Sequence, residues 1–286
     1  MHPADAPLEL MESTDRAEGD DLLDLCGDHP EWVLGRRSLV SRATDSTNQD
    51  ARGLVEARRA GPSHGTVLTT LEQRHGRGTR GRTWWSPRAS SLATSVILAP
   101  DPPLRIPPIA TLLAALSVLR VGEESGARLW IRWPNDVVDR SGRKVAGILA
   151  EMFRLERPVQ IVGIGVNLTP GKEPPPGPLA RTSTTVQEAG GRDLSRASFL
   201  VRLLRELERE LLRLDESGPE AVVSEFNRHS WLAGRQVTFR RGAEERSGTF
   251  EEVTPDLDVV IREGRGNRIR WPGGQVELLN WEESGN

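Results

Sequence analysis

The sequence predicts an α+β fold: a larger domain of alternating strands and helices, then a small all-β domain. Three observations carry this. From about residue 38 to 229, β-branched apolar runs alternate with leucine stripes at helical spacing. From Gly234 onward only short strand-like segments separated by turns remain. Residues 1–35 fit neither pattern, being acidic and short of large apolar residues in periodic array. The 286-residue chain therefore divides into 1–35, 36–232 and 233–286.

In chain order, ten acidic residues face one arginine between Asp5 and Glu31, which predicts a mostly disordered tail. A short helix around Leu22, Leu23 and Leu25 is the one exception offered there. Ser46 or Thr47 is suited to cap a helix reaching about Arg59. Strands are expected near 66–72 and 92–99, where β-branched residues cluster. Pro107 and Pro108 suit the first turn of a helix whose face is Ile109, Leu112, Leu113, Leu116 and Leu119. Further strands are expected at 128–133, 144–152 and 158–168. Leu200, Leu203, Leu204, Leu207, Leu211 and Leu214 form a second stripe, and a shorter helix is expected at 219–229. Strands at 237–239, 248–253, 257–261, 268–271 and 275–279 then make up a small β-barrel.

Composition narrows the function. Acidic and basic residues nearly balance, 41 against 38, so a net charge of −3 gives no general reason to expect nucleic-acid binding. A lone cysteine, Cys26, excludes an internal disulfide and a cysteine-rich metal site. No apolar run is long enough to span a membrane and no signal pattern opens the chain, so a soluble, cytoplasmic protein is expected. Only two of the 38 basic residues are lysine. Lys172 sits in a proline-rich loop and reads as solvent-exposed without a role. Lys144 opens an apolar strand, a position that can demand a compact ammonium rather than a planar guanidinium.

The richest segment runs from Gly76 to Trp84, where Arg77, Arg80 and Arg82 alternate with Gly76, Gly78 and Gly81. Glycine admits close backbone approach and arginine forks match phosphate and carboxylate oxygens, so the loop suits an anionic ligand. Taken alone it fits a solvated basic loop or a nucleic-acid patch equally well. Four other segments carry possible chemistry. Ser46, Thr47 and Asn48 open the first helix, where a plain helix cap also accounts for them. Trp133-Pro134-Asn135-Asp136 places an amide and a carboxylate just after a strand. Lys144 through Glu151 joins a lysine to a close-packing glycine, Gly147. In the strand from Gly163 to Leu168, Asn167 is costly to bury without a partner.

In combination and order, these segments resemble the biotin–protein ligases, also named biotin–[acetyl-CoA-carboxylase] ligases. The resemblance covers residues 40–280 through the G-R-G-x-R-G-R-x-W loop, W-P-N-D, R-K-x-A-G-I-L-x-E and G-x-G-x-N-L. Lipoate ligases share the fold in outline but lack the arginine–glycine loop. The resemblance implies a class II synthetase-like mixed sheet with flanking helices and an SH3-like C-terminal barrel. It also implies a two-step reaction, in which biotin and MgATP give biotinyl-5′-AMP and the biotinyl group then passes to a lysine of a biotin carboxyl carrier protein or domain. Adenylation brings two anions together, so cations and N–H donors are needed.

By resemblance, Ser46, Thr47, Asn48, Gln73, Gly78, Thr79 and Gly147 line the biotin pocket. Arg77 and Lys144 meet biotin's carboxylate and the α-phosphate, and Asp136 activates the acceptor lysine as a base or an orienting charge. Gly76, Arg80, Arg82, Trp84, Asn135, Asn167 and Arg270 are the nucleotide and adenylate contacts, with Trp84 equally readable as a core aromatic. No protein-only metal site is implied, magnesium arriving with ATP. Two departures stand out: Thr79 where many members are basic, which predicts weaker adenylate retention unless Arg80 substitutes, and Arg132 where lysine is usual, which the chain's general preference for arginine accounts for. With only an acidic segment before the catalytic region, no specific DNA binding is expected, and a homodimer is possible. A lipoate or other acyl-adenylate ligase and a non-enzymatic biotin-sensing regulator are the rival readings.

Overall fold

A computed structural model describes residues 21–25, 27–28, 33–57, 64–99, 108–153, 158–264 and 266–281. The chain opens with a 3-10 turn, Asp21–Leu25, and strands β1 (Gly27–Asp28) and β2 (Arg37–Ser41). Helix α1 (Thr47–Glu56), β3 (Val67–Thr70) and the small hairpin β4 (Gly76–Arg77) and β5 (Thr83–Trp84) follow. Next come β6 (Ser91–Leu98), α2 (Ile109–Glu124), β7 (Trp130–Arg132), β8 (Asp136–Val138), β9 (Lys144–Phe153) and β10 (Val159–Asn167). A short α3 (Leu179–Thr182) and the long α4 (Arg196–Arg228) complete the larger unit.

Its eight strands form one mixed sheet in the order β1-β2-β3-β6-β10-β9-β8-β7, with β2 and β3 the parallel pair. Period-2 alternation gives the two faces different tasks. On β10, Val162, Ile164 and Val166 enter the main core with α2 and α4, whereas Val159 and Ile161 face α1 with Ala51, Val55, Leu68 and Ile97. Helix α2 is apolar around most of its circumference because it lies between the sheet and α4. The α4 stripe holds as expected. Gly218 at φ 74° and Pro219 break the helix into the two segments that the sequence suggested.

The C-terminal unit is a five-stranded antiparallel sheet in the order β14-β13-β12-β11-β15. Its strands are β11 (Gln236–Arg241), β12 (Glu244–Val253), β13 (Asp258–Glu263), β14 (Asn267–Pro272) and β15 (Glu277–Trp281). The 3-10 turn Gly273–Gln275 joins β14 to β15, and among the described residues these two strands share no ladder.

The expectation of a disordered tail does not hold for its described part. Leu22 and Leu25 pack into the core, and the Asp21 carboxylate accepts from the Ser195 hydroxyl and from the Ala197 amide at 3.0 Å, at the start of α4. The charge count overlooked two leucines with a core to reach. Residues 1–20, Cys26, Arg59 and Pro107 lie outside the described residues. Among the described residues, no helix is long and apolar enough to cross a membrane.

Candidate active site

The site lies on the α1 face of the sheet, where β9 and β10 carry glycines instead of side chains. Gly165 faces Gly147 across the ladder, and Gly163 faces Leu149. A Cβ at Gly165 would stand 2.4 Å from the Trp84 ring, one at Gly147 2.8 Å from Lys144 Nζ, and one at Gly163 2.2 Å from Asn48 Oδ1. The floor is bare because neighbours already occupy the space above it.

Above this floor is a cavity of about 40 Å³. Ser46, Thr47, Asn48, Gln73, Arg77, Gly78, Thr79, Trp84, Asn135, Lys144 and Gly147 line it, joined by Ala93, Thr94, Ile148, Leu149, Gly163 and Gly165. The arginine–glycine loop and residues from all four of the other segments thus converge here. The helix-cap reading of Ser46 gives way here: its side chain makes no capping bond, and Gln73 Oε1 instead accepts from the Thr47 amide at 3.1 Å. Asn48 is fixed on both sides, donating to Glu151 at 2.9 Å and Leu149 O at 3.2 Å while accepting from the Ser95 hydroxyl at 2.6 Å. Ser95 also meets the Thr47 hydroxyl at 2.7 Å. Sequence reasoning missed Ser95, although a hydroxyl in the middle of a fully buried strand was its signal.

At one end of the cavity, Lys144 Nζ pairs with Asp136 Oδ1 at 2.6 Å, and Arg132 donates to Asp136 Oδ2 at 2.8 Å. Burial alone would raise the Asp136 pKa. The charges and hydrogen bonds of Lys144 and Arg132 outweigh it and hold the carboxyl below its ordinary value. Lys144 Nζ also stands 5.3 Å from the Trp84 ring. Trp84 is half-buried, and its indole N–H is buried without an acceptor. Asn135 locks the turn to β9, donating to Ile148 O at 2.8 Å.

The loop's arginines separate. With its amide oxygen turned toward the guanidinium, Gln49 accepts from Arg77 at 2.6 Å and holds it at the cavity. Arg80 adopts φ 60° and turns away, donating to Val276 O at 3.2 Å and pairing with Glu277 on the C-terminal sheet. Arg82 is exposed and donates to Thr79 O at 3.4 Å. Gly76 is required by packing, since a Cβ there would lie 2.5 Å from Trp84 O.

Asn167 lines a second cavity of about 390 Å³ together with Arg143, Lys172, Ser183 and Thr184. Its amide, half-buried, donates to Thr184 O at 3.1 Å and to Lys144 O at 3.4 Å, which satisfies the donor. Lys172 is exposed, as its proline-rich surroundings suggested, and borders this cavity. Arg270 lines neither cavity and pairs with Asp258 at 2.5 Å and Asp256 at 2.7 Å. Among the described residues, no group of three or more His, Cys, Asp or Glu side chains could hold a metal ion.

Residues 40–168 match the Biotin/lipoate A/B protein ligase family. A biotin–[acetyl-CoA-carboxylase] ligase of Paracoccus denitrificans is 32% identical over 237 residues, covering 79% of this chain and 94% of that one. A Mycobacterium tuberculosis protein of the same name is 31% identical, over 71% of this chain and 74% of that one. The bifunctional ligase/repressor BirA of Bacillus subtilis is 34% identical over 175 residues, and the chain spans about half (53%) of its length. Among solved structures, the biotin protein ligase of Aquifex aeolicus in complex with biotin and ATP superposes with a TM-score of 0.71. It is 24% identical, over 85% of this chain and 98% of that one. The chain belongs to the biotin protein ligases of the Biotin/lipoate A/B protein ligase family.

Proposed function

We propose that the chain is an ATP-dependent biotin–protein ligase that forms biotinyl-5′-AMP and passes the biotinyl group to a lysine of a biotin carboxyl carrier domain. The observation that carries this is the Lys144–Asp136 ion pair at the edge of the bare Gly147–Gly165 floor. In the first step a biotin carboxylate oxygen attacks the α-phosphorus and pyrophosphate leaves. Lys144 and Arg77 offset the charge concentrated there. In the second, the neutral acceptor amine attacks the acyl carbon, AMP leaves with the bonding pair, and the proton shed by the nitrogen passes to solvent. Asp136 has both oxygens held by cations and a depressed pKa, which supports an orienting charge over a proton acceptor.

Ser46, Thr47, Asn48 and Gln73 offer the hydroxyls and amides that a ureido ring pairs with. A cavity of about 40 Å³ is far below the roughly 300 Å³ usual for ligand pockets. Biotin therefore needs more room than this cavity offers with Trp84 resting on the glycine floor. The nucleotide takes the wider cavity bordered by Asn167, with magnesium carried on its triphosphate.

Biotin-dependent exchange between ATP and pyrophosphate tests the reading. Wild type is expected to exchange, and Lys144→Ala to lose activity by about a hundredfold or more. Undiminished exchange in Lys144→Ala overturns the role of that lysine. Exchange with lipoate but not biotin replaces the substrate.

A further inference from the structure

We infer that Trp281 and Arg132 are positioning residues for the reaction centre, so that the C-terminal strand β15 sets the Asp136–Lys144 pair. The inference rests on the ligase reading above. Arg132 is largely buried, and its guanidinium is engaged by three different groups. One nitrogen donates to Asp136 Oδ2 at 2.8 Å, another to Gly142 O at 2.9 Å, and the guanidinium lies 4.5 Å from the centre of the Trp281 ring.

Trp281 is itself held, edge-on to Trp231 at 6.0 Å and 88°. Trp231 donates to Arg140 O at 3.1 Å, and its ring fills the space beside Gly142, where a Cβ would meet it at 2.5 Å. The two tryptophans thus close on the turn that leads into Lys144, with the guanidinium clamped beside it. A lysine at position 132 has no planar face to lay on Trp281 and no fork to hold two acceptors at once. The arginine there is the geometry's requirement rather than a compositional accident.

With Asp136 Oδ2 fixed by Arg132, Oδ1 is aimed at Lys144 Nζ. Loss of the Trp281 face frees the guanidinium to solvent, weakens its hold on Asp136 and lets the carboxylate drift toward the lysine. Both groups are then misplaced although neither has been changed.

The test compares wild type with Trp281→Ala, Trp281→Phe and Arg132→Gln. Three measurements are made: exchange, single-turnover transfer from preformed biotinyl-AMP across pH, and a carbon-13 NMR titration of the Asp136 carboxyl. Trp281→Ala and Arg132→Gln are expected to lower the transfer rate about tenfold, with the biotin KM within about twofold. Both are expected to move the acid limb and the Asp136 titration to higher pH, and Trp281→Phe is expected to restore most of each. Wild-type rates and an unmoved titration in folded Trp281→Ala overturn the inference. If Trp281→Ala fails to fold, an unmoved titration in Arg132→Gln does so. Absent exchange in wild type counts against the ligase reading alone, since the titration still reports whether Trp281 acts on Asp136.

Discussion

At the scale of single residues, the site is governed by what is missing from the sheet as much as by what is present. Gly163 leaves room for Asn48, whose Oδ1 would stand 2.2 Å from an added Cβ. Gly163→Ala is therefore expected to push Asn48 off Ser95 and raise the biotin KM about tenfold, with kcat of exchange changed less. Steady-state exchange decides it, and an unchanged KM removes Asn48 from the biotin pocket. The Asp136 carboxyl, held below its ordinary value by two cations, makes a second prediction. Its contribution to stability is fully present above the unfolded carboxylate pKa of about 3.9 and is lost as pH falls through the lower folded value. Asp136→Asn is expected to cost about 2 kcal/mol near neutral pH and progressively less in acid, read from denaturant unfolding at several pH values. An equal cost at every pH would show the carboxylate charge to be irrelevant to the fold. Lys144, Asn48 and Arg77 were legible because each sits in a local motif, whereas Gln73 lies between motifs and came only with the family resemblance. Ser95, Gly163 and Gly165 were not assigned to the site, because their role exists only through partners across a ladder or on α1. Arg270 stands apart from both cavities, paired with Asp258 of β13 and with Asp256 in the turn before it.

At the scale of elements, the β4–β5 hairpin is held from two sides. Gln49 of α1 grips Arg77, and Glu277 at the start of β15 grips Arg80. Because Arg80 is turned to Glu277, Thr79 contributes a neutral side chain to the cavity, and Arg77 is the loop arginine that lines it. Thr79→Arg is expected to slow release of biotinyl-AMP several-fold, and Glu277→Gln to speed it by loosening the loop. Release measured by rapid filtration tests both, and equal rates in Thr79→Arg and wild type remove the threonine from the account. The long elements were readable from periodicity: β9, β10, α2 and α4 all lie where apolar spacing put them. β2, β8 and the hairpin strands escaped. Runs of two to five residues carry too little alternation to distinguish a strand from a turn.

At the scale of the whole molecule, the two sheets share one core, and this decides how the protein fails. Trp133, next in the chain to Arg132 and close to Asp136, packs edge-on against Phe226 of α4 at 5.9 Å. Its ring also covers Gly273, in the turn between β14 and β15, where an added Cβ would stand 2.5 Å from Trp133 and 2.1 Å from Leu257 O. Val237, Phe239, Phe250 and Trp271 of the C-terminal sheet belong to the same apolar cluster as Leu113, Ile148 and Phe199 of the larger unit. A continuous core unfolds as one unit, so heating is expected to give a single transition by both far-ultraviolet circular dichroism and tryptophan fluorescence. Gly273→Val forces the turn away from Trp133 and is expected to destabilise the protein by about 2–3 kcal/mol. It should lower the midpoint for both probes together. Biotin, binding the folded state alone, is expected to raise the same midpoint for both probes. Two separated transitions, or a Gly273→Val effect seen by one probe only, would make the C-terminal sheet an independent domain. Its hold on the Lys144–Asp136 ion pair would then have to come through Arg132 and Trp281 without help from the shared core.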